Sequence, residues 1–263
     1  SVAATAEQPH SPTHYNTAAP ANNRFGIGVK QVVQAVLVFK EALRKVWSKW
    51  YVGLRFTYLR SRTSLDIKLP DLGPNVPPLP RLEFLSTLSA LGLRAQYDSR
   101  DDQFFPTDGT LFDFRANYYS DLVGSDFDFQ STTLAYNRYF SLFDRHILAM
   151  RGTVEFASDG VPFFALSTFG SHSDLRGYQS GRYRDRVLLA VQGEYRLQLT
   201  KRFGLVGFAG VGEVARDFGG LNVNDLLPSV GGGIRFRLAD DNPINLRVDI
   251  ARGKDETAFY VGV

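Results

Sequence analysis

Most of this chain alternates. From Phe25 onward apolar side chains recur at every second position, often over ten residues or more. Over His146–Phe156, Leu148, Met150, Gly152, Val154 and Phe156 share one face, and Ile147, Ala149, Arg151, Thr153 and Glu155 the other. Over Tyr51–Tyr58, Val52, Leu54, Phe56 and Tyr58 oppose Tyr51, Gly53, Arg55 and Thr57. Over Val187–Leu199, Val187, Leu189, Val191, Tyr195, Leu197 and Leu199 oppose Gln192, Glu194, Arg196 and Gln198. Near the end, Leu246, Val248 and Ile250 oppose Asn245, Arg247 and Asp249. Period two marks a strand with two unlike faces.

About eleven such runs stand out: 24–40, 50–67, 83–99, 109–120, 126–140, 145–157, 185–200, 203–215, 228–239, 243–252 and 257–263. Strands of soluble domains average about five to six residues. Tilted strands of about ten cross a bilayer. Run length therefore favours an antiparallel transmembrane β-barrel, with 12 or more strands if complete, over a soluble β-sandwich. The connections agree. Short polar turns fall at Phe140–Arg145, Thr200–Arg202 and Ala239–Pro243, and long loops at 68–82, 158–184 and 216–227. Short turns at one rim and long loops at the other are the outer-membrane pattern. No run of 18 apolar residues offers a transmembrane helix.

Two segments depart from the alternation. Residues 1–23, rich in Ala, Thr, Pro and Asn, read as a disordered tail or loop before a domain at 24–263. Ala4-Thr5-Ala6 resembles the end of a signal peptide, but no apolar stretch precedes it, so a fragment boundary is the competing reading. Over 30–50, Val32, Val36, Phe39, Leu43, Val46 and Trp50 have helical spacing, with Lys30, Lys40, Arg44, Lys45 and Lys49 around them. A peripheral amphipathic helix is one reading. The other is a strand through Val33, Ala35, Leu37 and Phe39 followed by a short helical turn near 41–48.

Composition excludes several chemistries. There is no cysteine, hence no disulfide, thiolate metal site or Cys nucleophile. A formal charge of +3 from interspersed residues gives no nucleic-acid footprint. The histidines are His10, His14, His146 and His172. His10 and His14 lie in a breaker-rich tail, so no metal site is expected. Ser171, His172 and Asp174 are the one group that could seed a hydrolase; ordinary loop polarity explains them too. Gly231-Gly232-Gly233 leads into a strand, so it reads as a place where bulk is avoided rather than a phosphate loop. No cofactor is implied.

Two motifs carry a family resemblance. The first is Tyr97-Asp98-Ser99-Arg100-Asp101-Asp102-Gln103-Phe104-Phe105-Pro106-Thr107-Asp108-Gly109. On composition it is a polar turn. Its Asp98, Arg100, Asp101, Pro106 and Gly109 are similar to the hairpin turn of the BamA-like outer-membrane surface-antigen barrels. The second motif is Leu175-Arg176-Gly177-Tyr178 in the loop 158–184. It resembles the [Val/Ile]-Arg-Gly-[Phe/Tyr] motif of that family's sixth extracellular loop. The resemblance covers roughly 24–263 and implies that this loop folds into the lumen. Its Arg would pair with acids on the wall, an arrangement a guanidinium in a narrow polar space needs. Glu194 is then the expected clamp partner. The next strand should carry Phe-x-Asp-x-Gly but reads Phe208-Ala209-Gly210-Val211-Gly212, so the clamp is expected to have one carboxylate rather than two.

The resemblance further implies residence in the bacterial outer membrane, contact with its lipid, and no enzyme activity. It implies assistance to insertion or translocation of client proteins through edge pairing at a weakened seam. An anchor or pore barrel without assembly activity, and a rim-sited hydrolase, are the alternatives. Family members end on Phe or Trp whereas this chain stops at Val263. With the Pro106 turn periplasmic, the strand at 24–40 would start from outside. An incomplete domain is therefore expected, unless residues 1–23 supply a strand, which Pro9, Pro12 and Pro20 disfavour.

Overall fold

The computed structural model describes residues 2–9, 13–15, 28–68, 82–170, 174–239 and 242–262. Its strands are β1 (Val2–Pro9), β2 (Thr13–Tyr15), β3 (Gly28–Trp47), β4 (Trp50–Lys68), β5 (Leu82–Asp98), β6 (Gly109–Tyr119), β7 (Phe129–Phe143) and β8 (His146–Ala157). They continue as β9 (Ser167–Thr168), β10 (Arg184–Asp185), β11 (Val187–Gln198), β12 (Phe203–Ala215), β13 (Leu227–Ala239), β14 (Asn242–Arg252) and β15 (Thr257–Gly262). Thirteen of them hydrogen-bond as one sheet in the order β1-β3-β4-β5-β6-β7-β8-β11-β12-β13-β14-β15, with β2 also on β3. β9 and β10 form a separate ribbon inside the longest described excursion. Leaving aside β9 and β10, each strand from β3 to β14 is followed by its own neighbour in the sheet, as a meander of hairpins demands.

Two expectations are corrected. Residues 41–47 are strand, not a helical turn; β3 runs to Trp47 and the chain reverses at Ser48, whose φ is 41°. The apparent helical stripe misled because Val36 and Val46, an even number of residues apart, also fall on one face of β3 at period two. Trp50 instead opens β4, its ring 5.3 Å from Tyr97 and 6.0 Å from Phe112. Residues 1–23 are also more than a tail, since β1 and β2 both lie on β3. Pro9 is the last residue of β1, where it ends the strand, and Pro12 and Pro20 lie outside the described residues.

The fold divides into two compact units, Ser1–Ala42 with Leu54–Gly92 and Tyr118–Asp128, and Leu43–Gly53 with Leu93–Asn117 and Phe129–Val263. In the first, Leu88, Ser89 and Ala90 are buried. Thr87 there exchanges bonds with Asp126, its amide donating to Asp126 Oδ2 at 2.6 Å and its carbonyl accepting at 2.9 Å.

In the second unit the two faces of the sheet are inverted relative to a water-soluble protein. On β8, Thr153 is buried while Met150 is 46% exposed. On β11, Gln192 and Glu194 are buried while Val191 and Tyr195 are exposed. On β14, Asp249 is buried between exposed Val248 and Ile250. Covered carboxylates beside uncovered aliphatics are what a sheet facing lipid requires. Registers align the polar face: Gln192 opposes Gly210 and Glu194 opposes Phe208 between β11 and β12. Gly210 opposes Ser229 across β12 and β13, and Gly233 opposes Asp249 across β13 and β14.

Candidate functional site

The site lies where the loop between β8 and β11 returns to the polar face of β11–β15. Arg176, at the loop's tip, is 3% exposed. Its Nη2 donates to Glu194 Oε2 at 2.6 Å and its Nη1 to Asp249 Oδ2 at 2.9 Å. Its Nε reaches Gln192 Oε1 at 3.4 Å, and its guanidinium lies 3.4 Å from the centre of the Phe208 ring. Ser229 Oγ donates to its carbonyl. The guanidinium is thus surrounded by two anions, an amide and an aromatic face. Such charge-assisted bonds are what make an arginine tolerable out of water.

The clamp has two carboxylates, which corrects the expectation of one. The second is Asp249 on β14, with no side-chain exposure at all. It is also held by Arg235, through Nη1 and, at 3.1 Å, Nη2. Gly233 opposite it makes this feasible, because a Cβ there would collide with the Asp249 carboxylate. Glu194 is shared as well: Arg196 Nε donates to its Oε1 at 2.6 Å, and Arg235 Nη2 stands 3.7 Å from its Oε2.

Gly210 has a different task. A Cβ there would stand 2.7 Å from the Val191 carbonyl and 2.9 Å from Leu175 Cδ1. At Gly212 it would meet Phe169 Cζ at 2.8 Å. Phe208, Gly210 and Gly212 therefore form a bed, the ring under Arg176 and the two glycines under Leu175 and Phe169. Leu175, Phe169 and Tyr178 complete an apolar cluster with Leu188, Ala190 and Leu227. Its burial offsets part of the cost of ordering the loop.

The loop tip also touches the last two strands. Gly177 has φ +108°, a conformation that favours glycine, and its amide donates to Tyr260 Oη at 2.8 Å. A Cβ would stand 3.0 Å from the Arg252 carbonyl carbon. Tyr178 Oη donates to the Pro228 carbonyl at 2.5 Å and accepts from the Lys254 amide at 3.1 Å. Burial pushes the Tyr178 phenol above its usual range, so it stays protonated for that role.

The turn motif builds its own frame. Asp98 accepts from Arg100 Nε at 3.0 Å and Nη2 at 2.9 Å, and Asp101 accepts from the Thr107 and Asp108 amides at 2.9 and 3.1 Å. Gly109 opens β6 beyond the turn. From β11, Arg196 Nη1 donates to the Pro106 carbonyl at 3.3 Å and lies 5.2 Å from the Phe105 ring. The structure thus brings both motifs against β11, through Arg176 and through Pro106.

Sequence reasoning missed Asp249, Arg235, Gln192, Ser229 and Tyr260. Asp249 had a signal: it opposes Leu246, Val248 and Ile250, so alternation puts it with the polar residues. Ser229 and Tyr260 had none, because only tertiary contact sets their role. Of the hydrolase group, Ser171 and His172 lie outside the described residues, as does His10. Asp174 Oδ1 accepts from the Gly170 amide at 3.3 Å. Among the described residues, no cluster of three His, Cys, Asp or Glu could hold a metal.

Known proteins bear on this geometry. Residues 13–257 match the Omp85 superfamily domain. The solved structure of BamA from Haemophilus ducreyi lacking POTRA domains 1–3 is similar, with a TM-score of 0.62 at 15% identity. The match covers 95% of this chain and 55% of that one, so the chain spans about half the length of that relative. No curated protein matches by sequence. The fold is that of the BamA barrel.

Proposed function

As the chain belongs to the Omp85 superfamily, we propose that it works in the bacterial outer membrane, among its lipids, as a non-enzymatic barrel that helps client proteins insert or cross. One observation carries this reading: the loop tip is latched to the strands that end the sheet. Arg176 joins β11 to β14, and Gly177 joins the loop to Tyr260 on β15, the last strand in the order. An edge strand offers unpaired backbone groups that can template an incoming strand. A latch on β15 sets how firmly that strand is held. The sole chemistry required is exchange of hydrogen bonds and ion pairs.

The test is client folding. The protein is refolded into vesicles of outer-membrane lipid, and an unfolded barrel protein is added from urea. Faster client folding than in empty vesicles, with a changed rate for Arg176→Ala, is the expected result. A rate equal to that of vesicles holding an unrelated barrel refutes the reading and leaves an anchor or a pore.

A further inference from the structure

A cavity of about 280 Å³ opens on the polar face of the second unit, beside the latch. Arg176 lines it from the long loop, and Phe104 and Phe105 line it from the β5–β6 turn. The two segments come from opposite ends of β11. The loop leads into Val187, where β11 starts, whereas Arg196, which holds the turn, stands two residues before Gln198, where β11 ends.

The turn is held from across the sheet. Between β6, which follows the turn, and β11 lie β7 and β8. That is three strand spacings, about 14 Å. Yet Arg196 Nη1 donates to the Pro106 carbonyl at 3.3 Å, and its guanidinium lies 5.2 Å from the Phe105 ring and 5.5 Å from that of Tyr139. Tyr139, on β7, also accepts from Arg100 of the turn. A turn need only join its two strands; this one folds over the polar face to meet β11. Glu194 connects its seat to that of the loop. Oε2 accepts from Arg176 at 2.6 Å, and Oε1 accepts from Arg196 Nε at 2.6 Å. One carboxylate oxygen serves the loop, the other serves the residue that holds the turn. A carboxylate fixed at one oxygen presents the other in a set direction, so each arginine orients Glu194 for its partner.

We propose that the loop and the β5–β6 turn are two coupled plugs, with Arg196 the positioning residue that, through Glu194, makes release of either one favour release of the other. Such coupling is reciprocal. It joins two segments of this chain, so it goes beyond client insertion and does not rest on it.

Amide hydrogen exchange tests this on the whole chain, refolded in zwitterionic detergent at neutral pH and read by mass spectrometry. Residues 98–109 report the turn and 174–182 the loop. Arg176 bonds to Gln192, Glu194 and Asp249, yet Arg176→Ala should quicken exchange in the turn about fivefold or more. Arg196→Gln should quicken exchange in the loop to a similar degree, and Glu194→Gln should loosen both segments at once. In the Arg196→Gln background, Arg176→Ala should have no further effect on the turn. Arg196→Gln should still fold, since Glu194 keeps Arg176 and stands 3.7 Å from Arg235; unchanged exchange in β7 and β8 checks this. Turn exchange that stays at the parent's rate in Arg176→Ala overturns the proposal. So does an effect of Arg176→Ala on the turn that persists in full without Arg196, because the loop would then reach the turn by another route. A rise spread equally over β7 and β8 also overturns it, since that is general loosening.

Discussion

Replacing Asp249 by Asn tests the site at its most buried charge. The Asp249 side chain has no exposure and accepts from two arginines, Arg176 Nη1 at 2.9 Å and Arg235 Nη2 at 3.1 Å among them. Asn keeps one acceptor but turns an amide donor toward guanidinium donors. Breaking a buried pair by removing one partner costs about 3–5 kcal/mol. Here the guanidiniums keep a second anion, with Glu194 Oε2 at 2.6 Å from Arg176 and 3.7 Å from Arg235. The lower end applies, so Asp249→Asn should cost about 3 kcal/mol. Urea unfolding in detergent, followed by Trp47 and Trp50 fluorescence and by heat-dependent gel mobility, measures it. Trypsin provides the local readout, because Arg182 in the same loop is 43% exposed and becomes cleavable once the loop lifts. Combined with Arg176→Ala, the double variant should be less harmed than the sum, by about 1.5 kcal/mol or more, since the two share one interaction. A loss below about 0.5 kcal/mol with unchanged protection, or strict additivity, refutes the latch.

Three further outcomes follow from particular positions. Val154 opposes Leu134 and Leu189 on the apolar face, so Val154→Arg should cost about 2–4 kcal/mol of membrane folding stability; a silent change would exchange the two faces. Gly210→Asp, which installs the residue the family pattern has there, should destabilise by about 1–3 kcal/mol and loosen Leu175 rather than strengthen the clamp, read as faster tryptic cutting of the loop. In the β5–β6 turn, burial pushes the Asp101 carboxyl up, but the Thr107 hydroxyl and the amides of Asp108, Thr107 and Asp102 outweigh it and hold it below its usual range. Its folded value is depressed, so its support is full above the unfolded carboxylate range and fades as pH falls through the folded value. Amide exchange at Thr107 and Asp108 should quicken only in that acid window, and Asp101→Asn should remove the pH dependence.

The fold was legible because alternation is a property of each strand by itself. The eleven long strands from β3 to β15 need no partner to announce their two faces. What failed was degeneracy and distance. A spacing of four residues is common to a helix and a strand, which hid the end of β3. The tail was misread because proline content speaks against central strands but not against a short strand that a proline ends, as Pro9 ends β1. At the site, Arg176 and Glu194 could be paired from a resemblance, which expects an inward Glu on the strand after the loop, and alternation puts Glu194 on that face. Asp249 could be placed on a polar face but not beside Arg176. That proximity arises from the registers of β11 through β14, and Gly233 makes space for it only in three dimensions.

The separations along the chain also fix an order of events. Arg176 meets Glu194 across 18 residues, but Asp249 lies 73 residues beyond it and Tyr260 lies 83 beyond Gly177. Closing the longer circuits costs more chain entropy and waits for later-made segments. A chain still emerging in N-to-C order therefore holds its arginine by one anion until β14 and β15 arrive. The second anion reports that β14 is in place, so the loop seats fully only once the β14–β15 hairpin has formed.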